Sequence, residues 1–161
     1  MIDASYTTLT EELRENGMYA SNTSGTSMRP LLRHHRDVVI LTVPSEEVKK
    51  YDVVLYPGKS GKYILHRVIG RKGDTLVIRG DNTYVKEFVD KAEIMAVLTA
   101  FNRGGKRHTC EELGYRVYSR IWCAIYPVRL LAYKLRLALA RVYRAIFKRG
   151  KATERGESDA E

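Results

Sequence analysis

The sequence has little cysteine, no long uncharged apolar run and, from Tyr115 to Lys151, no acidic residue. Its two cysteines, Cys110 and Cys123, have neither metal-site spacing nor the density of a disulfide scaffold, so a reducing compartment, or two free thiols, is expected. No segment offers the roughly eighteen apolar residues that a membrane span needs. The N-terminus also lacks a basic region followed by an apolar run. We therefore expect neither a transmembrane span nor a signal peptide.

What is present is the composition of a globular protein. The chain has 161 residues, of which 44% are hydrophobic and 29% are charged, and it carries a formal net charge of +9. This length has room for one domain with a real core, or for one small domain and an appendage.

A serine stands between a glycine and a proline in the segment Gly25-Thr26-Ser27-Met28-Arg29-Pro30. A serine hydroxyl attacks poorly at neutral pH unless a base removes its proton. Gly25 frees the backbone to approach a substrate closely, and Pro30 fixes φ just after the serine. This loop is therefore a candidate for a nucleophile turn whose amides stabilise an oxyanion.

The candidate general base is His66, because imidazole titrates close to neutrality. A carboxylate bonded to the far ring nitrogen would fix its tautomer and stabilise the imidazolium. Either Asp81 or Glu87 can supply that carboxylate. His66 and Asp81 lie across one tight turn, so pairing of two neighbouring antiparallel strands is expected to bring them together.

Four short segments resemble, in order, the characteristic boxes of the type I signal peptidase family. The resemblance covers roughly residues 20 to 100. It implies a serine endopeptidase with Ser27, His66, Asp81 and Glu87 as catalytic residues, and a preference for small residues before the scissile bond. The segments are Gly25–Pro30, Asp52–Val54, His66–Val68 and Gly80–Asn82.

The histidine at position 66 resembles the archaeal and endoplasmic-reticulum branch of the family. Most bacterial members, and the related self-cleaving repressors, have a lysine base in that place. In the histidine branch the second acid is an aspartate, so Glu87 departs from the pattern. This departure leaves open whether Asp81 or Glu87 orients His66. The resemblance further implies that the loop around Ser27 binds substrate through Gly25, Thr26, Met28 and Pro30.

The remaining pattern predicts a mainly β fold, with a barrel-like or sandwiched catalytic core. Apolar runs and turn residues predict strands at 37–42, 51–56, 63–69, 75–79 and 93–101, a polar connection at 85–90, and a short helix at 8–17. We expect an N-terminal segment with that helix (1–17), a signal-peptidase-like β domain (18–103), a linker (104–120), a basic amphipathic helix (121–150) and a disordered acidic tail (151–161).

The helical segment carries a second functional indication. Apolar residues recur at steps of three and four from Ile121, and ten basic residues but no acidic one lie between Tyr115 and Lys151. Such a helix suits the surface of an anionic membrane through residues 121–149. Docking of the apolar stripe on the β core, or binding of nucleic acid by the basic face, are the alternatives. Pro127 is expected to begin the longer helix or to kink it.

The sequence therefore predicts a serine endopeptidase that cleaves a precursor peptide and associates peripherally with a membrane, on its cytoplasmic side. The alternative is a non-enzymatic repressor-like or peptide-binding module whose basic helix binds nucleic acid. A nucleic-acid partner is not expected, because the lysine base and the helix-turn-helix of that class are not visible. No cofactor and no metal are expected, and the adjacent His34 and His35 read as a solvated loop.

Overall fold

A computed structural model of the protein describes residues 6–59 and 61–158. Within them, eight strands form one antiparallel sheet and helices follow toward the C-terminus, so the mainly β class is confirmed. The strands are β1 (Met18–Asn22), β2 (Val38–Thr42), β3 (Val53–Pro57), β4 (Tyr63–Lys72), β5 (Thr75–Arg79), β6 (Glu87–Asp90), β7 (Ala96–Arg103) and β8 (Lys106–Thr109). The helices are α1 (Tyr6–Asn16), α2 (Leu113–Ala124) and α3 (Tyr126–Ser158), with a 3₁₀ turn at Lys91–Glu93.

The strand order is β1-β2-β7-β3-β4-β5-β6, and β8 pairs with β7. Side chains of successive residues point to opposite faces, so each strand contributes to two layers. One face is covered by a large cluster that includes Leu55 and Leu65. The other is covered by a smaller cluster that includes Val54 and Val68. The central strands are therefore buried on both faces, as their unbroken apolar runs predict.

The short N-terminal helix is confirmed as α1, and its apolar residues explain its position. Leu9 and Leu13 lie on one side of the helix and are buried in the larger cluster. Gly17 ends the helix with a positive φ of 66°, and its N–H donates to the Leu13 carbonyl. The helix begins at Tyr6, two residues before the predicted start at position 8.

Residues 85–90, predicted to be a polar connection, contain the edge strand β6. Val89 explains the difference, because it is buried in the smaller cluster while Phe88 on the opposite side is exposed. An alternation over only four residues was too short to separate from a loop.

The predicted linker at 104–120 is wrong, because this segment forms β8 and most of α2. Arg103 pairs with Lys106, so Gly104 and Gly105 form a two-residue hairpin turn. Both glycines have positive φ, as such a turn requires. The glycines that suggested flexibility therefore make a tight connection within the sheet.

The C-terminal helical segment is divided into two helices. Ile125 separates α2 from α3, and Pro127 stands in the first turn of α3, where its missing N–H costs no helical hydrogen bond. Within the described residues the backbone packs as two units, which divide between Cys123 and Ala124. Helix α3 continues to Ser158, so the predicted helix end at 150 is too early, and most of the predicted disordered tail is helical. Residues 1–5 and 159–161 of the predicted terminal segments lie outside the described residues.

No helix in the described ranges has both the length and the apolar content needed to cross a bilayer. Both cysteines are free thiols.

Candidate active site

The loop that carries Ser27 is closed at its base by hydrogen bonds between residues far apart in sequence. The Thr23 N–H donates to the Asp37 carbonyl at 3.1 Å. The buried Asp37 carboxylate accepts from the Arg33 N–H at 2.9 Å and from Arg103 Nε at 3.3 Å. These bonds hold residues 23–37 as a compact loop and leave Ser27 partly exposed at its surface.

Gly25 is the point at which this loop needs a glycine. Its φ is 90°, in the left-handed region that other residues rarely adopt. Its N–H donates to His34 Nδ1 at 2.8 Å. The first of the two adjacent histidines therefore supports the serine loop. Within the described residues, no three His, Cys, Asp or Glu side chains are grouped as metal ligands.

A second turn, Gly80-Asp81-Asn82, lies directly against the serine loop. The Asn82 N–H donates to the Ser27 carbonyl at 2.7 Å, and Asn82 Nδ2 donates to the Thr26 carbonyl at 3.3 Å. A Cβ built on Gly80 would stand 2.8 Å from both His66 Nε2 and the Ser27 carbonyl oxygen. The distance between His66 Nε2 and the Ser27 carbonyl oxygen is therefore at most twice 2.8 Å. The backbone of Ser27 and the ring of His66 meet at one glycine.

His66 is buried on β4, and its ring is held from the Nδ1 side. Nδ1 lies 3.0 Å from Glu87 Oε1 and 3.2 Å from the Tyr56 hydroxyl. The Tyr56 hydroxyl donates to Glu87 Oε2 at 2.7 Å. Because a carboxylate only accepts, these contacts assign the imidazole proton to Nδ1. Nε2 then carries the free lone pair, and it faces Gly80 and the serine loop.

Strand register explains why Tyr56, His66 and Glu87 meet. His66 pairs with Val54, and Tyr56 lies two residues further along β3 on the same face. On the other side, Val68 pairs with Ile78, which in turn pairs with Glu87. All of these residues project to the face covered by the smaller cluster.

The electrostatics of this group favour a neutral histidine. Burial lowers the pKa of His66, and the negative charge of Glu87 opposes that shift. Burial and the neighbouring Glu87 carboxylate both raise the pKa of the Tyr56 phenol, which therefore stays protonated as a donor. A neutral imidazole beside a carboxylate can accept a proton and stabilise the resulting charge.

Asp81 lies on the other face of the sheet. Arg67 pairs with Arg79, and Asp81 follows two residues later on the same side. The Asp81 carboxylate accepts from Arg67 Nε at 2.8 Å and from Arg67 Nη2 at 2.7 Å. The charge of Asp81 acts to raise the pKa of His66, but its carboxylate is bonded to Arg67, whose side chain points to the face opposite His66. The carboxylate that contacts His66 is that of Glu87.

The Arg67–Asp81 pair is deeply buried and strongly held. The exposed fraction of Arg67 is 0% and that of Asp81 is 5%. Burial opposes the guanidinium charge, but the hydrogen bonds and attraction of Asp81 carry the pKa of Arg67 above its ordinary value. Such a pair fixes the backbone on both sides of it, since separating its members would leave a buried charge alone.

Helix α2 supplies contacts to this pair that the sequence did not reveal. Arg67 Nη1 donates to Ser119 Oγ at 2.9 Å and to the Tyr115 hydroxyl at 3.2 Å. The Tyr118 hydroxyl donates to Asp81 Oδ2 at 3.0 Å, and Trp122 Nε1 donates to the Asp81 carbonyl at 2.9 Å. The helical spacing of Tyr115, Tyr118, Ser119 and Trp122 was the available indication, because these positions share one face.

The other residues predicted to bind substrate have different surroundings. Met28 is buried in the larger cluster, so its side chain supports the loop from below. Pro30 is exposed, follows a cis peptide bond and offers its carbonyl to Arg103 Nη2 at 3.2 Å. Ser27 and Gly25 line a cavity of about 10 Å³ together with Met28. Within residues 6–59 and 61–158, no hydrogen bond joins Ser27 Oγ to His66. Such bonds commonly tighten only when substrate is bound.

No protein-family model matches this chain, and a search of curated proteins finds no match to it.

Proposed function

We propose that the protein is a serine endopeptidase of the signal-peptidase type, which cleaves a precursor or signal-like peptide. The observation that carries the proposal is the arrangement of His66. Its Nδ1 is bonded to Glu87, while its Nε2 faces the turn that holds Ser27. In this proposal Ser27 is the nucleophile, His66 the base and Glu87 the orienting carboxylate, and the three come from separate parts of the chain.

In the proposed reaction, Ser27 Oγ attacks the scissile carbonyl and its proton passes to His66 Nε2. Glu87 and the Tyr56 hydroxyl stabilise the imidazolium that forms. The imidazolium then gives the proton to the leaving amine, and water releases the acyl group by the same steps in reverse order. The Ser27 N–H donates no hydrogen bond within the described residues and is free to stabilise the oxyanion.

In this proposal Asp81 is a positioning residue. It holds Arg67 on the face opposite His66, and its neighbour Asn82 bonds the Ser27 carbonyl. Glu87 takes the role that an aspartate has in the resembled family. The longer glutamate side chain reaches Nδ1 from the edge strand β6.

We further propose that the sheet is a signal-peptidase-like barrel or sandwich. Apolar clusters on both of its faces support this interpretation. The preference for small residues before the scissile bond is proposed from the family resemblance. Thr26 and Pro30 would contribute to the substrate groove.

Membrane association is proposed for residues 121–149. Helix α3 provides a continuous helical backbone through most of this segment, and its sequence is basic with a recurring apolar stripe. Anionic headgroups would bind the arginines and lysines while the apolar stripe enters the headgroup region. The proposed location is peripheral and on the cytoplasmic side.

The test is cleavage of a short apolar peptide with alanines at the −3 and −1 positions, with and without anionic vesicles. The wild type should cleave it, and Ser27→Ala should not. Ser21→Ala is the matched control, because it removes an exposed β1 hydroxyl outside the site. Equal cleavage by wild type and Ser27→Ala would refute the proposal. Salt-dependent DNA binding without any cleavage would support the repressor-like alternative instead.

A further inference from the structure

A large cavity lies apart from the candidate active site. Its volume is about 670 Å³, and its walls are the segment 42–52, two residues of β7, the turn at Cys110 and one side of α2. Ser27, His66 and Glu87 do not line it. Its size is that of a site for a small organic ligand.

The charge in this cavity is unbalanced. Lys50, Arg116 and Arg120 all line it, and within the described residues none of them forms an ion pair with a carboxylate. The lining acids Glu46 and Glu47 are engaged by Lys49 and Arg71, and Asp52 accepts from the Lys49 N–H. Glu111 is the one lining carboxylate with no partner in the described chain. Three cations without an ion pair stand against two carboxylates without one, Asp52 and Glu111, and this excess of positive charge favours an anionic ligand.

Two of these cations, Lys50 and Arg120, lie over the ring of Tyr51. Lys50 Nζ lies 5.1 Å from the ring centroid, and the Arg120 guanidinium carbon lies 5.6 Å from it. Tyr51 has a φ of 84°, which is unusual for a bulky residue. The Tyr51 backbone is held there by two hydrogen bonds: the Tyr51 N–H donates to the Val68 carbonyl, and Arg67 Nη1 donates to the Tyr51 carbonyl. Strained residues of this kind cluster at ligand sites.

We propose that this cavity binds a phosphate-bearing ligand. Lys50, Arg116 and Arg120 hold the phosphate, and the Tyr51 ring contacts the organic group attached to it. Arginine is suited to this role because its planar guanidinium bonds two phosphate oxygens at once. The phosphate belongs either to a soluble phosphate ester or to a phospholipid headgroup, and one titration series distinguishes the two sources.

The experiment is a ¹H–¹⁵N NMR titration of the full chain with sn-glycerol 3-phosphate, and separately with monomeric dihexanoyl phosphatidylglycerol. Glycerol and sodium chloride at matched ionic strength are the ligand controls. Saturable shifts of the amides of residues 50, 51, 116 and 120 are expected with the phosphate compounds alone. Tighter binding of the lipid identifies a headgroup, and equal or weaker binding of the lipid identifies a soluble ester.

The variant Arg116→Gln/Arg120→Gln should weaken phosphate binding at least about tenfold, because each hydrogen bond to a charged group contributes about a tenfold factor to the affinity. Lys106→Gln/Arg107→Gln makes the same charge change on the exposed part of β8, outside the cavity, and should bind like the wild type. Lys50→Gln, which leaves α2 intact, gives an independent second variant. Shifts that do not saturate, that sodium chloride reproduces, or that survive in both cavity variants would overturn the proposal. Ser27→Ala should bind phosphate normally, so this result is independent of peptidase activity.

Discussion

Substitution of Gly80 by alanine tests the close approach of the two turns at the candidate active site. The new Cβ would stand 2.8 Å from His66 Nε2 and 2.8 Å from the Ser27 carbonyl oxygen. Relative to an ordinary contact of about 3.5 Å, each distance is short by roughly 0.7 Å. Neither neighbour can yield easily, because Tyr56 and Glu87 hold the imidazole ring and the Asn82 N–H holds the carbonyl.

The methyl group must therefore separate the Ser27 backbone from the His66 ring. A misplacement of about 1 Å between reacting groups costs about a hundredfold in rate, and we expect kcat/KM for the alanine peptide to fall by about that factor. The overpacking should also lower the free energy of unfolding by about 1–3 kcal/mol, which chemical denaturation would measure.

Gly70→Ala is the matched control for this substitution. It adds the same methyl group to β4, the strand that carries His66, and its Cβ would make only an ordinary contact of 4.0 Å with Val77. This control should cleave the peptide at nearly the wild-type rate. If Gly80→Ala cleaved as fast as Gly70→Ala, the close approach of Ser27 and His66 would not matter for the reaction, and the proposed site would be refuted.

Three further predictions concern the groups around this site. Glu87→Gln should lower kcat by about 10²–10⁴-fold with little change in the free energy of unfolding. Asp81→Asn should lower the free energy of unfolding by about 3–5 kcal/mol, because it leaves Arg67 unpaired; denaturant unfolding measures this. The opposite pattern would exchange the roles of the two carboxylates. Because burial lowers the pKa of His66, the acid limb of kcat/KM should lie below the ordinary value of about 6.5. Glu87→Gln should move that limb lower still, and imidazole NMR titration checks both shifts. As the pH falls through about 6.5, His66 takes up a proton more readily in the unfolded chain than in the native one. The contribution of His66 to the free energy of unfolding is therefore lost on acidification. Trp122→Phe should cost about 0.5–1.5 kcal/mol through its lost bond to Asp81, and no change in unfolding would contradict that contact.

Much of the sheet could be predicted from the sequence because the information for it is local. Val38–Thr42 and Thr75–Arg79 are apolar runs bounded by turn residues, and they form strands at the predicted positions. Two of the strands absent from the predicted set, β6 and β8, have only four residues each. Their strand character depends on a neighbour to pair with, which no short window of sequence displays.

The sequence suggested which residues belong to the candidate site, but it did not predict which carboxylate contacts His66. Ser27, His66 and Glu87 were predicted as site residues from residue type and from the family resemblance, and the structure brings His66 and Glu87 into contact. The choice between Asp81 and Glu87 depended on register across β4, β5 and β6, which sets the face to which each side chain points. The support from Tyr118 and Trp122 comes from more than thirty residues away in sequence, and only the folded chain brings it to Asp81.

The indole of Trp122 has a consequence for spectroscopy. It is the chain's single tryptophan, and it is bonded to the carbonyl of Asp81, whose neighbour Asn82 holds the Ser27 backbone. All tryptophan fluorescence of this protein therefore comes from a side chain that is hydrogen-bonded to the turn beside the candidate nucleophile. We expect emission wavelength, quenching and lifetime to report on that turn, so the proposed substrate binding can be tested by fluorescence in the unlabelled protein.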